Sequence, residues 1–99
     1  MRIGKVIGTV TLNRRHPTLD GYRFRLVVPQ SWDNLLGRSE ASMGETVVLD
    51  ELGAGVGSTI ALGEGREAAM PFHPDRKPVD SYNAAILDTL NVELPDDLK

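Results

Sequence analysis

Apolar and polar residues alternate along much of this chain, and a period of two is typical of β-strands. The alternation is sharpest in residues 21–29, where one predicted face carries four apolar side chains: Tyr22, Phe24, Leu26 and Val28. In residues 3–12 the corresponding face carries Val6, Gly8, Val10 and Leu12. Similar patterns predict five strands in all, at residues 3–12, 21–29, 46–50, 58–65 and 85–94, with Pro95 ending the last one.

The segments between these strands are polar and rich in turn residues. Residues 31–45 form the longest such connection, and Asp80 is placed to cap one short helical turn before the last strand. Five short strands with glycines at their bends predict a mainly all-β fold, a small five-stranded OB-like Greek-key barrel with one short helix before the last strand. We expect residues 1–99 to form a single domain, with 95–99 as a short C-terminal tail.

Composition narrows the class of protein. A chain of 99 residues is one small domain, and small domains often gain stability by oligomerising. No apolar run approaches the roughly 18 residues that a membrane span needs, and the first ten residues lack the pattern of a signal peptide. The chain has no cysteine, which excludes disulfides and thiolate metal sites, so a cytoplasmic location is expected.

Charge is divided unevenly along the chain. Residues 1–25 carry a net charge of +5, whereas residues 26–99 carry −8. This division suits a nucleic-acid or anion site, and equally a protein that meets copies of itself, positive patch against negative; solvated charge without a special role is the third interpretation. The nucleic-acid alternative is an OB-fold module that binds single strands through a basic face: Arg14, Arg15, Arg23 and Arg25.

The segment DELGAGVG, residues 50–57, has three glycines at alternate positions. A dinucleotide site needs G-x-G-x-x-G followed by a helix, and a P-loop needs a lysine before its Ser or Thr. A β-branched strand follows here, and no lysine precedes Ser58, so a phosphate loop is disfavoured. Two interpretations remain: the glycines turn a corner of the barrel, or the loop meets copies of itself around a symmetry axis, where only small residues let several backbones pack together.

Four motifs in this order resemble the EutN/CcmL family, the vertex proteins of bacterial microcompartment shells, including carboxysomes. The motifs are GKVIGTV with Lys5, Gly8, Thr9 and Val10, LDGYRF with Leu19, Gly21 and Phe24, DELGAGVG with Asp50, Gly53, Ala54, Gly55 and Gly57, and a late PVD segment with Pro78, Val79, Asp80 and Asp88. The chain departs from the family at GREAAM, where Ala69 stands in place of an arginine and the positive charge moves to Arg66.

The resemblance implies an OB-like barrel that assembles as a homopentamer and caps shell vertices beside hexameric shell proteins. It also implies a structural protein without catalytic activity or cofactor. Our hypothesis is that Asp50 orients the turn, and that the small residues after it line or approach the five-fold axis: Gly53, Ala54, Gly55 and Gly57. Three arginines are candidate contacts with the shell or with neighbouring subunits: Arg14, Arg15 and Arg66.

Other candidate sites are weak. His16 and His73 each lie beside a proline without a clear carboxylate partner, which is typical of exposed loop histidines. Asp50 and Glu51 are adjacent at a strand end and point to opposite sides, so they do not form a pair of catalytic carboxylates. No serine lies in a G-x-S-x-G motif. We therefore predict no catalytic, cofactor-binding or metal site.

Overall fold

The computed structural model describes residues 1–41 and 44–93 of the chain. Its five strands are β1 (Arg2–Val10), β2 (Arg23–Pro29), β3 (Thr46–Asp50), β4 (Thr59–Glu64) and β5 (Ser81–Leu87). The short helices are α1 (Trp32–Leu35) and α2 (Arg66–Ala69), and single 3-10 turns lie at Pro17–Leu19 and Met70–Phe72. The predicted mainly β chain of five strands is confirmed. Nowhere in the described ranges is there a helix long and apolar enough to cross a membrane.

The strands close into a barrel in the order β1-β2-β3-β5-β4, with β4 pairing back onto β1. All neighbouring strands are antiparallel except β3 and β5, which pair in parallel through Leu49 and Tyr82. This is the predicted OB-like barrel. The end of β3 and the start of β2 lie side by side, because Asp50 pairs with Arg23. The loop that follows β3 therefore starts beside the basic start of β2.

The last strand and the helix before it were predicted at the wrong positions. The strand covers Ser81–Leu87 instead of residues 85–94, and no helical turn follows Asp80, whose carbonyl accepts from the Gly65 N–H. The short helix before β5 is α2, at Arg66–Ala69. The alternation failed here because the two buried residues of β5, Ser81 and Asn83, are polar and form hydrogen bonds inside the barrel. Residues 94–99, which include Pro95 and the predicted tail, lie outside the described residues.

The predicted inward face of β2 is only half right. Phe24 is buried as expected, but in the second half of the strand the buried residues are Val27 and Pro29, whereas Leu26 and Val28 are partly exposed. The pairing of β1 with β2 shifts register between Val6 and Gly8. A register shift of one residue moves side chains to the other face of a strand. A period of two therefore does not extend through the whole segment.

Helix α1 lies in the connection that the sequence indicated as turn-rich. The Ser31 hydroxyl accepts from the Asn34 N–H, and the Asn34 side-chain carbonyl accepts from the Ser31 N–H. This reciprocal capping box starts the single turn of helix. Residues 42 and 43 of the same connection lie outside the described part of the chain.

The barrel core is small and closely packed. Its largest fully buried side chains include Leu49, Ile60, Leu62 and Val27. Gly4 lies on β1 against this core, where an added Cβ would lie 2.5 Å from Val27 Cγ1 and 2.6 Å from Leu62 Cδ2. Neither distance is compatible with a carbon atom at that position, so this glycine is required by packing.

We expect Gly4→Ala to lower the free energy of unfolding by about 1–3 kcal/mol, because the new methyl group overfills the core. Thermal and urea unfolding at a fixed protomer concentration measure the change. Gly8→Ala is the matched control on the same strand: its Cβ would lie 3.8 Å from Leu26 Cβ, an ordinary contact. A Gly4→Ala protein as stable as Gly8→Ala would contradict this view of the core.

Candidate functional site

The glycine loop, residues 50–57, begins with a buried carboxylate. Asp50 is the last residue of β3 and is 2% exposed. Glu51, directly after it, is exposed and accepts from the Tyr82 hydroxyl at 2.9 Å. The two carboxylates therefore diverge, as predicted from their position at a strand end, and they do not form a pair.

Asp50 accepts hydrogen bonds from the loop that follows it. Its Oδ1 accepts from the backbone N–H groups of Leu52 at 3.0 Å and Gly53 at 3.2 Å, and its Oδ2 accepts from that of Ala54 at 2.8 Å. Three successive amides thus point at one carboxylate. A short acidic side chain that binds the next backbone N–H groups is a common way to fix a turn. Asp50 orients the start of the glycine loop in this way.

Two side chains from other strands complete the environment of Asp50. Arg25 on β2 donates from Nε to Oδ2 at 2.9 Å, and its side chain is 14% exposed. Asn83 on β5 donates from Nδ2 to Oδ1 at 2.9 Å. Both carboxylate oxygens are therefore surrounded by donors alone. The loop, β2 and β5 are joined through this single side chain.

The donors around Asp50 lower the pKa of its carboxyl below the ordinary value of 3.8. Burial alone would raise the pKa of this group, but the hydrogen bonds from Asn83, Arg25 and the backbone of Ala54 and Leu52 outweigh the burial. The carboxylate is charged at neutral pH, and its whole hydrogen-bonding capacity is used to hold the chain together.

The contribution of Asp50 to stability should disappear in acid. Because its pKa is lower in the folded than in the unfolded chain, the unfolded chain takes up the proton first as the pH falls. The stabilisation is complete above the unfolded pKa and is lost as the pH falls through the folded pKa, which lies below 3.8. We expect the difference in urea midpoint between wild type and Asp50→Asn to shrink as the pH falls below this value. A constant difference would contradict the assignment.

Two glycines of the loop are explained by backbone conformation. Gly53 has φ +80° and Gly57 has φ +94°, a left-handed region that side chains rarely adopt. The Gly57 N–H also donates to the Val6 carbonyl at 2.8 Å, and the Val6 N–H donates to the Ser58 carbonyl at 2.9 Å. The end of the loop is thereby attached to β1. These two glycines turn a barrel corner, as one interpretation of the sequence expected.

Gly55 is different, because nothing in residues 1–41 and 44–93 requires a glycine there. Its φ lies outside the left-handed region, and an added Cβ would meet no atom of these residues within 4 Å. The residue is exposed. A barrel corner therefore accounts for Gly53 and Gly57 but leaves Gly55 without an explanation inside one chain.

The apolar residues of the loop divide between core and surface. Ala54 was expected to lie on the exposed close-approach surface with the glycines. Instead its side chain is 1% exposed and belongs to the barrel core, because its N–H is drawn inward to Asp50. Val56 is 69% exposed and Leu52 is 51% exposed. Beyond the exposed Glu51, the outer surface of the loop thus consists of Gly53, Gly55, Gly57 and two exposed aliphatic side chains.

The arginines singled out in the sequence lie on more than one surface. Arg15 bonds Asp20 at 2.6 Å, and Arg25 is bound to Asp50. A surface cavity of about 480 Å³ brings Arg15 and Arg25 together with Arg23. Arg14 does not line it, and Arg66 lies on α2 beside a different cavity. All three candidate contact residues, Arg14, Arg15 and Arg66, are exposed.

The structure argues against the alternative of a single-strand nucleic-acid site. Such a site needs free cations and exposed aromatic faces. Arg15 and Arg25 are already paired with carboxylates, and Phe24 is buried. Tyr22 stacks edge-on against Phe72 at 5.6 Å between ring centroids. Two of the four arginines of the proposed basic face, Arg15 and Arg25, are therefore engaged in ion pairs within the protomer.

An aromatic cluster that the sequence did not reveal packs at the end of the barrel where the glycine loop begins. Phe72 contacts Tyr22 and Tyr82, each with ring centroids 5.6 Å apart. The Lys77 ammonium lies 4.8 Å from the Tyr22 centroid and donates to the Thr18 carbonyl at 2.7 Å. Residues far apart in the chain meet here, so no local pattern signalled the cluster. It fixes the segment between β4 and β5 against Glu51 and the start of the glycine loop.

The histidines occupy exposed loops, as expected. His16 bonds its neighbour Thr18, with 2.8 Å between Nδ1 and Oγ1, and His73 ends the 3-10 turn before Pro74. Within residues 1–41 and 44–93 no three His, Cys, Asp or Glu side chains are grouped so that they could hold a metal ion.

Comparison with known proteins gives consistent matches over nearly the whole chain. The family model described as "Ethanolamine utilisation protein EutN/carboxysome" matches residues 1–88. The carboxysome shell vertex protein CcmL of Synechococcus elongatus is 37% identical over 93 residues, covering 94% of this chain and 89% of that protein. The bacterial microcompartment shell vertex protein PduN of Salmonella typhimurium is 34% identical over 91 residues, covering 92% and 99%. The solved structure of GrpN from Rhodospirillum rubrum, a pentameric microcompartment shell protein, has a TM-score of 0.76 at 26% identity and covers 95% and 100%.

Proposed function

Since this chain belongs to the EutN/CcmL family, we propose that five copies of it form a ring that closes a vertex of a bacterial microcompartment shell. The function is geometric. A flat sheet of hexagonal tiles closes into a polyhedron only where pentagons replace hexagons. The partners of the ring are then hexameric shell proteins, and its location is the shell of a microcompartment in the cytoplasm.

One observation supports the place of the glycine loop in this ring. In the described part of the protomer no contact requires a glycine at position 55, and Asp50 holds this loop in one conformation. Around a five-fold axis, equivalent loops converge, and a residue without a side chain lets their backbones approach. Val56 and Leu52, both more than half exposed, supply apolar surface beside it. Burial of such side chains between subunits stabilises a ring.

We also propose that the protein has no catalytic activity. Asp50 is buried and ionised, as many catalytic carboxylates are. Both of its oxygens, however, accept hydrogen bonds from donors of the same chain. Asp50 is therefore suited to hold a loop and unsuited to exchange a proton with a substrate.

Native mass spectrometry of the wild-type protein at micromolar concentration tests the proposed assembly. We expect a single major species of five times the 10.8 kDa chain mass. A folded protomer as the dominant species at this concentration would overturn the proposal.

A further inference from the structure

Asn83 on β5 occupies a position that packing alone does not explain. It is 1% exposed, faces the interior of the barrel and pairs across the ladder with Leu62 of β4. Buried amides normally satisfy both of their polar atoms. Here Nδ2 donates to Asp50 Oδ1 at 2.9 Å, but Oδ1 of Asn83 has no hydrogen-bond partner among residues 1–41 and 44–93. The amide is thus buried although its oxygen accepts no hydrogen bond from the described residues.

The orientation of the Asn83 amide follows from Asp50. A flipped amide would direct its carbonyl oxygen at a carboxylate oxygen, so only the NH₂ group can face Asp50. The amide therefore serves the carboxylate and leaves its own carbonyl unsatisfied. This arrangement indicates that the donor, rather than the shape of the side chain, is what the site requires.

Asn83 also bridges the weakest join of the barrel. Within the described strands, backbone pairing of β3 with β5 is confined to Leu49 and Tyr82. Side chains on either side of this pair link the two strands: Thr46 with Ser81 at 3.3 Å, and Asp50 with Asn83 at 2.9 Å. The second link is the one that reaches the glycine loop, because Asp50 also accepts from the loop amides.

We propose that Asn83 is a positioning residue for the glycine loop. Arg25 holds Oδ2 of Asp50 from β2, and Asn83 holds Oδ1 from β5. The two donors together fix the rotation of the carboxylate group. The N–H groups of Leu52, Gly53 and Ala54 then have acceptors in defined places, and the loop is formed before assembly. The role of this loop in a ring rests on the proposed function.

Asn83→Asp separates a donor role from a packing role, because the two side chains have nearly the same shape. The charged groups facing position 83 are Asp50 of β3 and, beyond it, Arg25 of β2. The neighbour on β4, Leu62, is apolar. Glu51 bonds Tyr82 on the outer surface of the barrel. Two carboxylates at hydrogen-bonding distance share one proton, which raises the apparent pKa of the pair. In the protonated pair, the new acid group can donate to Asp50 as the amide did. In the deprotonated pair it repels Asp50.

The experiment measures hydrogen-exchange protection factors of the Leu52, Gly53 and Ala54 amides, at about pH 5 and about pH 8. For Asn83→Asp we expect protection to fall at least about tenfold at the higher pH, as for loss of a hydrogen bond to a charged group, and to recover at the lower pH. For Asn83→Ala we expect the protection of these amides to fall at both pH values. Ser81→Ala, which removes the other buried polar side chain of β5 without touching Asp50, should leave these amides unchanged.

Several results would overturn the proposal. The first is that the three amides of Asn83→Asp keep wild-type protection at the higher pH. The second is that Asn83→Asp and Asn83→Ala lose the same amount of protection at both pH values. The third is that the loss of protection is spread evenly over the barrel. If Asn83→Asp does not fold at the higher pH, Asn83→Ala decides: selective loss at residues 52–54 supports the proposal, and any other pattern overturns it.

Native mass spectra of the same samples connect the loop to assembly. We expect Asn83→Asp to be pentameric at the lower pH and dissociated at the higher pH. A wild-type protein that is not pentameric would remove the proposed function while leaving the exchange result valid for the loop. A pentamer that persists in Asn83→Asp after the loop amides have lost protection would show that the loop is not needed for the ring.

Discussion

Gly55→Val is expected to leave the barrel folded and to prevent the pentamer from forming. An added Cβ at position 55 meets no atom of the described residues within 4 Å and needs no unusual backbone conformation. In a ring, the same side chain would enter the space between converging loops at every subunit boundary. A clash of about 1–3 kcal/mol at each of five equivalent contacts would dissociate the ring at micromolar concentration. Native mass spectrometry gives the oligomer, and circular dichroism gives the fold.

Gly44→Val is the matched control for this change. At Gly44 an added Cβ likewise meets no atom of the described residues within 4 Å, but Gly44 lies before β3 and not in the glycine loop. We expect this variant to remain pentameric. If Gly55→Val also remained fully pentameric, close approach of the loops would no longer explain the glycine. If both variants dissociated, the effect would not be specific to the loop.

Asp50→Asn is expected to be the most destabilising polar substitution in the described barrel. Both oxygens of Asp50 face donors only, so either orientation of the new amide would direct its NH₂ group at another N–H. Arg25, with a side chain only 14% exposed, would lose its counter-charge. Removing one partner of a buried pair costs about 3–5 kcal/mol. For a domain of this size, the melting temperature should fall by more than about 10 °C.

Glu51→Gln is the appropriate comparison for Asp50→Asn. It removes a carboxylate at the next position, where the side chain is exposed and bonds only the Tyr82 hydroxyl in the described structure. An exposed contact of this kind contributes about 1 kcal/mol or less. Both variants should be melted at one protomer concentration, because assembly makes the transition concentration-dependent. An equal fall in melting temperature for Asp50→Asn and Glu51→Gln would contradict the proposal that Asp50 stabilises the barrel more than Glu51 does.

The sequence predicted the strands wherever hydrophobic alternation was the dominant local signal. The third strand was located at its observed limits, residues 46–50, and the first, second and fourth to within two residues at either end. The fifth strand was misplaced because Ser81 and Asn83 face inward, where Thr46 and Asp50 bind them. The pattern of apolar and polar residues does not show that a polar residue is buried and hydrogen-bonded to a partner far away in the chain.

The candidate site was predictable only in part, because local spacing marks the loop but not its distant partners. Three glycines at alternate positions marked the loop, and Asp50 before them suggested a turn held by a carboxylate. The sequence did not distinguish the glycines by role. It took backbone angles to assign Gly53 and Gly57 to the corner, and the empty surroundings of Gly55 to separate it from them. Arg25 and Asn83, which are 25 and 33 residues from Asp50, could not be connected to it from spacing.

A structure of the assembled wild-type protein tests the proposed place of the glycine loop most directly. We predict a closed five-membered ring in which the Gly55 backbones of the five copies are nearer to one another than almost any other equivalent atoms, with Val56 covered by a neighbour. A ring in which residues 53–57 face open solvent, away from the axis and from every neighbouring copy, would contradict the account.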